Sequence, residues 1–223
     1  MKRCARWTVC LWLLWIGTAH AQPAARVVDL PTRPGVIQRL LLLTPRDVKA
    51  TAIFFAGGHG GLQLSADGAI RWGKGNFLVR TRQQFAEQGV MVVVIDAPSD
   101  RLGPRFLSGF RQTPEHTADV KAVIAWARAQ SQRPVWLVGT SRGTQSAAFV
   151  AIQLDGPQGP DGLVLTSTIL VEDKGRAVPR MALDKLRVPV FVVHHEQDGC
   201  NHCPYAGCPA SWSVLPAYPG KNS

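Results

Sequence analysis

The chain has 223 residues, 46% of them hydrophobic and 18% charged, and a net charge of +10. This is the length and composition of one globular domain with a buried core, and it excludes a low-complexity chain. The basic residues are scattered singly (Arg71, Lys74, Arg80, Arg82, Arg101, Arg105, Arg111) rather than in a run interleaved with aromatics, which argues against a nucleic-acid surface.

Residues 1–21 read as a secretory signal peptide. Lys2, Arg3 and Arg6 precede an apolar run from Trp7 to Ile16, and Thr18-Ala19-His20-Ala21 supplies an A-x-A cleavage site before Gln22. The apolar run is about half of the roughly 20 residues that span a bilayer, so a stable membrane span is not expected. Cys10 has no lipobox after it, which argues against a lipid anchor. Cleavage after Ala21 places the product in the periplasm or outside the cell. It lowers the charge from +10 to +7 and removes Cys4 and Cys10, leaving Cys200, Cys203 and Cys208.

Residues 22–223 read as a single domain. Apolar, β-branched runs predict strands over Val36–Leu43, Thr51–Ala56, Val90–Ile95, Val135–Val138, Leu163–Thr166 and Val190–His194. The first helix is predicted over Asn76–Gln88, with Asn76 as cap and Phe77, Leu78, Thr81 and Phe85 on one side. The second starts at Thr113-Pro114 and buries Val120, Val123, Ile124 and Ala127 at helical spacing. A third begins just after Ser141 and runs to Leu154, and a short helical piece lies near Arg180–Leu186. Near-continuous apolar strands alternating with helices predict an α/β fold, a mostly parallel sheet covered on both faces.

The stretch VWLVGTSRGTQSAA carries the chemistry. Gly139-Thr140-Ser141-Arg142-Gly143 is a G-x-S-x-G motif between a strand and an immediate helix, the context of a nucleophile elbow. The bare pattern is weak, and a tight turn with a helix-capping serine is the alternative; two further features in the right chain order support the elbow. FFAGGHGG, from Phe54 to Gly61, ends a strand in a glycine loop that can stabilise an oxyanion. Its His59 or Gly58 amide would act together with the Arg142 amide. Asp198 follows the sixth strand, where a triad acid belongs after the nucleophile in the chain; Glu172 and Asp173 are fallback acids.

With those motifs in hand, the chain resembles the α/β-hydrolases, and more narrowly the exported bacterial members described as dienelactone-hydrolase-like. GGHGGLQL, GNFLVRTRQQFAEQGVMVVVIDAPSDR, HTADVKAVIAW, VWLVGTSRGTQSAA and VVHHEQDGC carry the resemblance over most of residues 50–200. It implies cofactor-free hydrolysis of an ester, thioester or amide in a small acyl substrate, with Ser141 as nucleophile, Asp198 as acid and the Arg142 and His59 amides as oxyanion donors.

The base departs from the pattern. In α/β-hydrolases the catalytic histidine lies beyond one more strand, whereas the last histidine here is His202, four residues after Asp198. His202 is the candidate base; His116, His194 and His195 read as structural. The resemblance also implies that Cys200 pairs with a cysteine just before the usual catalytic histidine. Both expectations point to an absent C-terminal strand and helix, with reduced activity and an uncovered sheet edge. Two other classes stay open: a non-catalytic binding or remnant protein on the same fold, and a metal-binding protein using Cys200, Cys203, Cys208 and His202.

Overall fold

The computed structural model describes residues 23–171 and 175–207. The expectations placed on the signal segment, Glu172, Asp173 and Cys208 lie outside those residues. The chain runs β1 (Ala25–Arg33), β2 (Val36–Leu43), β3 (Ala50–Phe55), α1 (Phe77–Glu87), β4 (Val90–Ile95), α2 (Pro114–Ser131), β5 (Val135–Thr140), α3 (Gly143–Gln153), β6 (Gly162–Thr166) and β7 (Val190–Val193). The strands form one seven-stranded sheet in the order β1-β2-β4-β3-β5-β6-β7. β1 and β2 pair antiparallel, as do β2 and β4, and every other pairing is parallel.

The continuous apolar strands bury both faces, as parallel strands under helices must. Ile53, Phe55, Met91, Val93, Leu137 and Leu165 point into one core with α2 and α3. Ala52, Phe54, Val92, Val94 and Val138 point into the other with α1. The four predicted core positions of α2 are all buried, and Thr113 caps the helix by accepting a bond from the His116 amide at 3.2 Å.

Several local expectations differ from the structure. β1, ARVVDLPTR, carries no continuous apolar run; it is an edge strand that tolerates Pro31 where its register shifts. Arg33 at its end forms a bidentate pair with the buried Asp119 of α2, Nε to Oδ1 at 2.8 Å and Nη2 to Oδ2 at 2.9 Å. α1 buries Leu78, Val79 and Ala86, while Phe77 is 40% exposed. One residue of helix turns a side chain by about 100°, so Phe77 rotates out of the stripe that Leu78 leads. Asn76 stands at the N-cap, but its side chain makes no capping bond. The piece near Arg180–Leu186 is two 3₁₀ turns, Val178–Arg180 and Leu183–Lys185.

Candidate active site

β5 drives Ser141 to the carboxyl end of the sheet, and the turn into α3 holds it in the left-handed region at φ +50°. Non-glycine residues avoid that region, so the surroundings must hold the turn in place. The Ser141 amide donates to Thr166 O at the end of β6 (3.1 Å), and its carbonyl accepts from Thr144 N (2.9 Å) and Thr144 Oγ1 (2.6 Å). The flanking glycines are required by close approach. A Cβ on Gly143 would lie 1.9 Å from Phe55 O, and one on Gly139 would lie 2.7 Å from Gly143 O.

The glycine loop after β3 passes directly beside the serine. A Cβ on Gly57 would sit 2.9 Å from Ser141 Cβ and 3.3 Å from Asn76 Nδ2. The uncapping Asn76 is thus turned toward the loop, and its buried Oδ1 has no partner. Among the described residues the amides of Gly57, Gly58 and His59 donate to no acceptor. Gly57 is buried against Ser141, and since buried backbone amides are nearly always paired, its open amide beside a strained serine is suited to an anionic oxygen.

Side chains on both sides immobilise this loop. The His59 ring lies between Trp72 and Phe106, with ring centroids at 3.7 Å and 4.4 Å, and its Nδ1 accepts the Gly61 amide at 3.1 Å. Burial, and then the Arg111 charge, lowers the His59 pKa. Asp96 at the end of β4 accepts the Leu62 and Leu64 amides, both at 2.6 Å, and so anchors the strand-like exit of the loop. Arg111 enters from behind: its Nη2 donates to Ala56 O (3.1 Å) and Gly58 O (3.2 Å), and its Nη1 to Ser146 Oγ on α3 (2.9 Å). Burial, with the nearby Arg142 charge, lowers the Arg111 pKa to about 9. A cavity of about 340 Å³ adjoins the loop, lined by Gly58, His59, Leu107, Arg111, Arg142 and Gln145 among others but not by Ser141 or Gly57.

The acid and base candidates lie on the segment after β7. Asp198 Oδ1 accepts the Cys200 amide at 3.0 Å, closing a tight turn. His202 Nδ1 is 3.1 Å from Val171 O, and the His202 carbonyl accepts the Leu170 and Val171 amides. His194 Nε2 accepts the Thr168 amide at 2.8 Å. Among the described residues no hydrogen bond joins Ser141, Asp198 and His202 to one another. The structure brings together Ser141, Arg142 and the His59 loop; it holds Asp198 and His202 on one neighbouring loop.

The Cys200 and Cys203 sulphurs lie 2.7 Å apart as free thiols. Cys203 is buried against Ile169 and Ala177, and that burial, with the Cys200 contact, raises its pKa. Among the described residues no three His, Cys, Asp or Glu side chains converge as a metal site would need.

Solved structures share this fold. An α/β serine hydrolase homologue from Coxiella burnetii superposes with a TM-score of 0.57 at 20% identity, covering 85% of this chain and 81% of that one. A lidless α/β serine hydrolase from Xanthomonas campestris gives 0.56 at 20%, covering 87% and 80%. The chain has the α/β-hydrolase fold. A thermophilic esterase from Thermogutta terrifontis shares the hydrolase fold with a TM-score of 0.56 at 17% identity, covering 87% of this chain and 78% of that one. No protein-family model and no curated protein matches the sequence. On the hydrolase fold, sequence reasoning left Arg111 among the scattered surface charges and took Asn76 for a cap. No local signal separates Arg111 from its neighbours, because its partners are 35 to 55 residues away.

Proposed function

We propose that the mature chain is an exported serine hydrolase, periplasmic or secreted, that cleaves an ester, thioester or amide of a small acyl substrate. The observation that carries this reading is Ser141 at φ +50° packed against Gly57, the first residue of a loop whose Gly57, Gly58 and His59 amides donate to no acceptor among the described residues. In the proposed reaction Ser141 Oγ attacks the substrate carbonyl carbon while a base takes its proton. The tetrahedral oxygen gathers negative charge and is met by the loop amides, the His59 amide foremost, together with the Arg142 amide. Collapse of the intermediate expels the leaving group, which recovers the proton from the base, and water then releases the acyl group from the serine by the same route.

His202 is the base in this scheme. With Val171 O holding the Nδ1 proton at 3.1 Å, the basic nitrogen is Nε2. Asp198, four residues earlier, supplies the negative charge on that loop. The absence of a hydrogen bond between Ser141 and an imidazole among the described residues favours a second reading, in which the fold binds acyl ligands without turning them over.

Hydrolysis of short-chain p-nitrophenyl esters by the purified mature protein separates the two. The first reading predicts turnover that is abolished in S141A and lowered about a hundredfold or more in H202A, the range for loss of a general base. Activity that survives in S141A would overturn it, and ester binding without turnover would establish the second.

A further inference from the structure

Arg111 is buried, with 5% of its surface exposed, and among the described residues it has no carboxylate partner. Among the described residues every bond that its guanidinium makes goes to a neutral oxygen: Ala56 O, Gly58 O and Ser146 Oγ. Removing a cation from water without a counter-ion is costly, and neutral donors would serve if holding two carbonyls were the whole task. The neighbouring cation Arg142 raises that cost further and accounts with burial for the lowered pKa of Arg111. A buried charge of this kind fits a site where a negative charge appears only during reaction.

The peptide geometry says which groups would feel it. No peptide bond in the chain is cis. In a planar trans peptide the C=O and N–H point in opposite directions. The Ala56 carbonyl shares its peptide with the Gly57 amide, and the Gly58 carbonyl shares its peptide with the His59 amide. A guanidinium gripping both carbonyls therefore fixes both amides facing away from itself, and it withdraws electron density through each peptide so that each N–H becomes a stronger donor. Both amides are open among the described residues, and Gly57 is the loop residue packed against Ser141.

We propose that Arg111 is a positioning residue that orients and polarises the Gly57 and His59 amides from behind, so that its buried charge is compensated by the oxyanion formed on a Ser141 adduct. This rests on the serine-hydrolase reading and adds to it a residue that acts through the loop amides. The stabilisation is greater for the tetrahedral anion than for the neutral ester, which is the condition for raising kcat rather than lowering KM.

The test uses phenylboronic acid, which adds to the serine oxygen as a tetrahedral boronate anion, alongside ester turnover by the full mature chain. In R111Q the boronic acid Kd should rise and kcat fall by about tenfold or more, with KM within about threefold of wild type, while R111K recovers part of both. In the wild-type protein the Gly57 and His59 amide proton resonances should move downfield on boronate formation. That measurement stands even if R111Q does not fold. Unchanged boronate affinity in folded R111Q, or Gly57 and His59 resonances that do not move in wild type, would overturn the role of Arg111 while leaving the hydrolase reading intact. A wild-type protein that neither turns over esters nor binds the boronic acid would overturn both.

Discussion

His116 shows how one buried side chain sets a dependence on pH. It lies in the first turn of α2, 1% exposed, with Phe55 and Phe110 edge-on to its ring and neither ring nitrogen partnered among the described residues. Burial, followed by the charges of Arg111 and Arg33, lowers its pKa to about 3. Between pH 3 and its ordinary value of 6.5 the unfolded chain binds a proton that the folded chain excludes. The stability tied to this residue is therefore fully present above pH 6.5 and is lost as pH falls toward 3, at up to about 1.4 kcal/mol per pH unit. Urea unfolding at pH 7 and pH 4 checks this: H116F should lose markedly less stability than wild type over that interval, and equal losses would contradict it. Legibility at this scale follows the range of the contact. Ser141 and its glycines stand in a pattern six residues long at most, whereas the reach of Arg111 to Ala56 spans 55 residues and leaves no local trace.

The elbow is the element on which the chemistry depends, and its glycines are held by backbone rather than by flexible side chains. A methyl group on Gly143 would lie 1.9 Å from Phe55 O and 3.0 Å from Ala56 O, at the end of β3 where the glycine loop begins. α3 cannot yield without moving β3 or β5. G143A should therefore cost about 3 kcal/mol or more in urea unfolding, or leave the protein insoluble, and a variant as stable as wild type would refute this packing. The helices and parallel strands were legible because their apolar period matches the structure that they adopt: Val120, Val123, Ile124 and Ala127 are all buried. β1 escaped because an edge strand needs no apolar run. It is held instead by its antiparallel pairing with β2 and by the Arg33–Asp119 pair, neither of which has a periodic signature. Asn76 escaped for a related reason: the residue type that caps helices is also suited to face an active-site loop, and only the tertiary position of Gly57 separates the two uses.

Across the whole molecule, the sheet order explains why the site forms where it does. β3 lies between β4 and β5, so the glycine loop leaving β3 and the elbow leaving β5 emerge from adjacent strands at the same carboxyl edge. Phe55 pairs with Gly139 in that register, which brings Gly57 beside Ser141. β6 adds the Thr166 carbonyl that pins the Ser141 amide, and β7 at the far side leads into the loop of Asp198 and His202. On β7, Phe191 and Val193 remain 63% and 45% exposed. The fold was readable because strand order and motif order coincide along the chain. The relation of His202, the proposed base, to Ser141 was not, because His202 follows Asp198 too closely for the usual strand and loop to intervene.

The central claim is that Ser141 is a nucleophile set beside a prepared oxyanion site. Incubating the purified mature chain with a fluorophosphonate and mapping the product by peptide mass spectrometry tests it most directly. The account predicts one adduct, on Ser141, formed in the native protein and lost both on denaturation and in S141A. An unlabelled native protein, or an adduct that persists in S141A, would contradict it.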